Sequence, residues 1–206
     1  MVKKELKRLQ VDVLYGGNQN WLVDPWMKLG GCGAVTACDC CIHLAREWGH
    51  KNLYPFPNLS QINKKEYIRF TNIMKPYLRP RMNGIDTLEL FMDGFSEYLK
   101  DYKETGISMK GLYANRPYSE FEAAVRDRID NDMPVPCLIL KHKSYNLRDY
   151  VWHWFWLSGY ECFDDTCMVQ AVSYGVGRWF SLKEIYDSGY TKKGGVVLLY
   201  RKDKGE

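Results

Sequence analysis

Gly30-Gly31-Cys32-Gly33-Ala34-Val35-Thr36-Ala37 is the stretch from which the fold of this 206-residue chain is read. Its glycines let the backbone turn sharply. After them Val35, Cys38, Cys41, Ile42 and Ala45 recur at spacings of three and four, which lays one apolar face along a helix from Ala34 to Trp48. Gly49 closes that helix. A cysteine at such a start faces unpaired backbone amides and the positive end of the helix dipole, a setting that favours the thiolate. Cys32 is therefore the first landmark of the fold and the first candidate for chemistry.

Downstream, Asn63-Lys64-Lys65-Glu66 supplies both ends of an N-terminal cap for a helix running to about Tyr77 and stopping before Pro80. Asp86 to Tyr102 is amphipathic, with Leu88, Phe91, Phe95, Tyr98 and Leu99 on one side. Ser119-Glu120-Phe121-Glu122 reads as a capping box for a third helix, ended by the turn Asn131-Asp132-Met133-Pro134. Strands follow at Val135 to Lys141 and Tyr150 to Tyr160. In the second, Val151, His153, Phe155 and Leu157 take one face, while Trp152, Trp154 and Trp156 take the other, expected to lie beneath the aromatic-rich helices. Phe163 to Thr166 turns into a hairpin partner ending at Ser173, Ser181-Leu182-Lys183-Glu184 caps a short helix, and Gly195 to Tyr200 is a last strand. Helices before strands is the α+β pattern. One domain over 1–206 is expected, with a helical subregion at about 60–105.

Composition narrows the function classes. A chain 46% hydrophobic and 26% charged is neither disordered nor a membrane protein. The formal charge of +4 is scattered, and its densest run, Lys3, Lys4, Lys7 and Arg8, reads as a solvated terminus, so no nucleic-acid partner is expected. No apolar window approaches the roughly 18 residues of a membrane span, and the first residues do not form a signal peptide. With an odd number of cysteines, seven, the expected location is cytoplasmic. Cys38 and Cys41 have a CxxC spacing but fall on the core face of a helix, and Cys162 and Cys167 space poorly for zinc. No metal or cofactor is expected.

A thiolate nucleophile needs a base that also protonates the leaving group. Of the four histidines, His43 lies inside the first helix, His50 just beyond it and His142 at a strand end. His153 sits within a strand on an otherwise apolar face, which singles it out. Attack on a carbonyl develops an oxyanion, for which Gln19 is the leading side-chain amide, with Asn18 and Asn20 beside it. The group that orients the imidazole stays open among Asp164, Asp165, Gln170 and Ser173.

Gln19, then Cys32-Gly33 at a helix start, then His153 in a strand running on to Ser158-Gly159-Tyr160, resembles the papain-like cysteine peptidase superfamily, and most closely its bacterial C39-like branch. The resemblance covers the order of parts over nearly the whole chain. It implies a papain-like α+β fold, with a helix carrying the cysteine packed on an antiparallel sheet carrying the histidine, and a helical insertion between about Lys65 and Tyr102 that roofs the cleft. It further implies hydrolysis of a peptide or other amide through a thioester, with Cys32 as nucleophile, His153 as base, Gln19 as oxyanion donor and Ser173 as orienter. The sequence departs from the family twice. Gln19 and Cys32 are 13 positions apart, about twice the usual spacing, so Trp21 to Leu29 reads as an inserted loop. Ser173 stands where the family has Asn or Asp, and a neutral hydroxyl supports an imidazolium less than a carboxylate does. An amidase or acyltransferase with the same dyad, or a papain-like module that binds without catalysis, fits the same residues.

Overall fold

In chain order the secondary structure of the computed structural model, which describes residues 1–202, begins with three short strands, β1 (Val2–Glu5), β2 (Gln10–Val11) and β3 (Leu14–Tyr15). Helices α1 (Pro25–Gly30), α2 (Cys32–Glu47), α3 (Lys64–Met74) and α4 (Leu88–Asp101) follow. Then come β4 (Ile107–Tyr113), α5 (Tyr118–Asp130), β5 (Val135–Ile139), β6 (His153–Phe163), β7 (Thr166–Ser173), β8 (Val176–Ser181), α6 (Leu182–Tyr186) and β9 (Gly195–Arg201). The fold is α+β, built on one seven-stranded antiparallel sheet.

The sheet runs β4-β9-β5-β6-β7-β8, with β1 added on β6. β5 pairs with the first part of β6, from Ile139 opposite His153 to Val135 opposite Leu157, and β1 continues from Glu5 opposite Gly159 to Val2 opposite Cys162. β6 thereby has neighbours along its length, with β7 on its other edge. Being buried almost throughout, it tolerates aromatic and branched residues on both faces.

α2 is buried along nearly its whole length and packs across β6. Trp154 stacks on Phe91 of α4 with ring centroids 4.3 Å apart, and its indole N–H donates to the Ile85 carbonyl at 2.6 Å. The Trp156 indole donates to Asp39 of α2 at 3.0 Å. Both indoles thus bury a large apolar area while keeping their one polar atom satisfied. On the alternate residues of β6, Phe155 meets Tyr150, which also meets Phe180 of β8, edge to face. Each such ring contributes about 1.5–3 kcal/mol through burial.

Several expectations are met by physical detail. Asn63 accepts from the Glu66 amide at 2.9 Å and starts α3, and Ser181 accepts from the Glu184 amide to start α6. Others are corrected. The basic N-terminal run includes β1, whose backbone gains a partner in β6 while its lysines stay at the surface and pair with Glu5, Glu161 and Asp132. Trp21 to Leu29 is not a plain loop, because Asp24 caps and Pro25 opens α1. Ser119 lies within α5, whose N-cap is Pro117 with no side-chain bond. Trp152 precedes β6 at φ 54° and is substantially exposed, so only Trp154 and Trp156 lie beneath the helices. Cys162 and Cys167 face each other across β6 and β7 and form a disulfide, leaving five free cysteines. That pairing withdraws the cysteine-count argument for a reducing compartment. No helix among the described residues is long and apolar enough to cross a membrane.

Candidate active site

Cys32 is the first residue of α2, and Gly31 is its N-cap. α1 ends directly before it, and a Cβ on Gly31 would stand 2.4 Å from the Met27 carbonyl oxygen. Only glycine lets the two helices abut and leaves Cys32 at the point where they meet. The thiol is partly buried, and burial pushes its pKa above the ordinary cysteine range. Backbone amides of Trp154, Gly33 and Cys32 itself act in the opposite direction but do not outweigh it. The helix-start amides do act to lower the pKa, as expected, but burial outweighs them, so the net shift is upward.

His153 opens β6 and is buried. Its Nε2 lies 2.7 Å from Ser173 Oγ at the end of β7. The antiparallel register brings the start of β6 and the end of β7 to the same end of the sheet, which is why residues 20 positions apart meet. Burial lowers the imidazole pKa to about 4. At neutral pH the resting site therefore holds a thiol and a neutral imidazole. Cys32 and His153 form no direct hydrogen bond; both line one cleft.

The sequence did not single out Tyr174, and it belongs to this site. Its ring lies on the imidazole, with centroids 4.7 Å apart and planes within 5°, and its hydroxyl is 3.5 Å from Nδ1. Burial raises the Tyr174 pKa, and the residue lines the same cleft as Cys32. Tyr174 (φ 52°) and Gly175 (φ 79°) are the two central residues of the β7–β8 turn, both left-handed, as a type I′ hairpin requires. A tyrosine there is strained. The Asn18 amide holds it by donating to its carbonyl at 2.9 Å, and the Gly175 amide donates to the Gly17 carbonyl at 2.9 Å.

Gln19 starts a short 3₁₀ turn on the loop thus fastened. On its other side, the loop is tied to α2: the Gly17 amide donates to the Asp39 carboxylate at 3.0 Å, and Tyr67 and Trp156 donate to the same carboxylate at 2.7 and 3.0 Å. A Cβ on Gly17 would fall 2.0 Å from the Tyr67 hydroxyl, so glycine is required for this approach. The Gln19 Nε2 donates to the Lys28 carbonyl at 2.9 Å, while its buried Oε1 has no partner. Asp39 was legible only as part of Cys38-Asp39-Cys40-Cys41. The signal that finds it is a single charge in the apolar run from Cys32 to Ala45, seven positions after Cys32.

A cleft of about 710 Å³ is lined by Gln19, Cys32, His153 and Tyr174 together with residues 80–86, the connection between α3 and α4. The helical subregion thus reaches the cleft through its loop. The remaining orienter candidates are elsewhere. Asp164 and Asp165 form the exposed tip between β6 and β7, and Gln170 accepts from Ser158 at 2.8 Å and Tyr15 at 3.3 Å. Asn18 and Asn20 are occupied in or exposed on the turn. His43 bonds the Asp132 carbonyl, His142 the Glu184 carbonyl and Ser144 amide, and His50 pairs with Glu104. Cys38, Cys40 and Cys41 are core side chains. Among the described residues one cluster of metal-ligand types occurs, Glu122 with Cys162 and Cys167, and its sulfurs are already joined to each other. No protein-family model, no curated protein and no solved structure matches this chain.

Proposed function

We propose that the chain is a thiol-dependent hydrolase of papain-like arrangement, a cysteine peptidase acting on a peptide or other amide bond. One observation carries this reading: Gln19, Cys32 and His153 line one cleft, and the imidazole is held by Ser173. With a proton on Nε2 donated to Ser173 Oγ, Nδ1 keeps the lone pair that a base needs. The thiol proton passes to Nδ1 as Sγ attacks the carbonyl carbon. The resulting oxyanion is met by the Gln19 amide and backbone N–H groups around the sulfur. The imidazolium then protonates the departing amine, leaving a thioester. Water, deprotonated by the same nitrogen, releases the acid and restores the thiol. An amine in place of water makes the same site an acyltransferase.

The neutral state of both partners favours a second reading, a cleft that binds a peptide without cleaving it. A peptide-library digest comparing the intact chain with Cys32→Ala separates them. Cleavage that disappears with the thiol is expected, together with a mass adduct on Cys32. Identical digests refute the hydrolase.

A further inference from the structure

Apolar side chains gather at the mouth of the cleft. Trp26, Leu29, Met82 and Trp152 all line it and are 60%, 80%, 94% and 47% exposed. They come from α1, the α3–α4 connection and the residue before β6, so no single amphipathic element accounts for them. Left in water, such a cluster is unfavourable unless something covers it. The charge is equally uneven. Asp86 is the only acidic group on the cleft wall among the described residues, and Lys192 already pairs with it at 3.3 Å. Arg81 is exposed on the same wall and has no side-chain partner among the described residues. The adjoining depression adds Lys141 beside Trp152 and Lys192.

We infer that the cleft takes an acidic peptide with bulky aromatic or aliphatic side chains. Its apolar groups cover the Trp26 and Trp152 rim, and a carboxylate meets Arg81. A guanidinium suits a carboxylate geometrically as well as by charge. This assignment rests on the proposed peptidase site for its location, but its binding test needs no turnover.

Four dye-labelled, C-terminally amidated octapeptides, matched except for two Phe or two Ser and two Glu or two Lys, are titrated by fluorescence anisotropy against the full chain carrying Cys32→Ala. The Phe/Glu peptide is expected to bind about tenfold more tightly than the Ser/Glu peptide. It should bind at least about threefold more tightly than the Phe/Lys peptide. Arg81→Glu is expected to abolish or invert the preference for Glu, and Trp26→Ala with Trp152→Ala to remove the preference for Phe. Both changes are at exposed positions, and Tyr145→Ala, an exposed aromatic away from the cleft, should change neither preference. No binding by any of the four, equal binding by all, or preferences that survive these substitutions overturns the assignment. Selective binding without Cys32-dependent cleavage by the intact chain upholds it while removing the peptidase reading. Unselective Cys32-dependent cleavage does the reverse.

Discussion

Changing Asp39→Asn tests how the Gln19 loop is held. The carboxylate is buried in α2, and desolvation raises its pKa from 3.8 to about 6 despite three donors. Keeping a carboxyl charged there at pH 7 costs about 3 kcal/mol relative to the unfolded chain. Because the folded value is the higher, the folded state holds more protons between pH 3.8 and 6. Stability from this group is therefore present below that window and lost as pH rises through it. An amide fits without orphaning a donor. Its oxygen can accept from Trp156 and Gly17, and its NH₂ can donate to Tyr67, whose hydroxyl already lies 3.0 Å from the Val35 carbonyl. Urea unfolding of both proteins at pH 4, 5, 6 and 7 should show the variant gaining about 2 kcal/mol on the parent across the series. His153, with its pKa lowered to about 4, works in the opposite direction, giving stability above pH 6.5 that is lost on acidification, but it is common to both proteins and cancels in the difference. A pH-independent difference would refute the buried charge, and a variant destabilised at every pH would refute the satisfied amide network.

Ser173→Ala removes the hydroxyl behind the imidazole and should lower Cys32-dependent turnover about tenfold, while Ser173→Asp should raise the His153 pKa by adding a negative partner; both are read from pH–rate profiles and histidine NMR. Tyr174→Gly should relieve about 1–2 kcal/mol of left-handed strain in thermal or urea unfolding. It should also let the His153 pKa rise from about 4 toward ordinary values as water reaches the ring; an unmoved titration would show that Tyr174 does not cover it.

Much of this architecture was legible because the signals are local. Val35, Cys38 and Ile42 mark a helical face, Asn63 and Ser181 are caps, and Asp164 and Asp165 mark the tip of the β6–β7 hairpin. Ser173 emerged among four candidates because antiparallel pairing returns the chain to His153. What escaped depends on long-range pairing. β1 is charged and reads as solvated until β6 supplies its hydrogen bonds, and β4 carries Gly111 between helices. Tyr174 escaped because tyrosine is an uncommon occupant of a left-handed turn; its stacking on His153 is visible only once β7 and β8 are paired. The pKa directions at Cys32 and His153 could not be read from spacing, because burial decides both.

Site-resolved iodoacetamide labelling from pH 5 to 9, in the intact chain and in His153→Ala, tests most directly whether Cys32 and His153 act as a unit. Cys32 is expected to alkylate faster than the buried Cys38, Cys40, Cys41 and Cys137 throughout. Loss of the imidazole should slow its labelling at least about tenfold near neutral pH. A Cys32 rate unchanged by His153→Ala would contradict the proposed dyad.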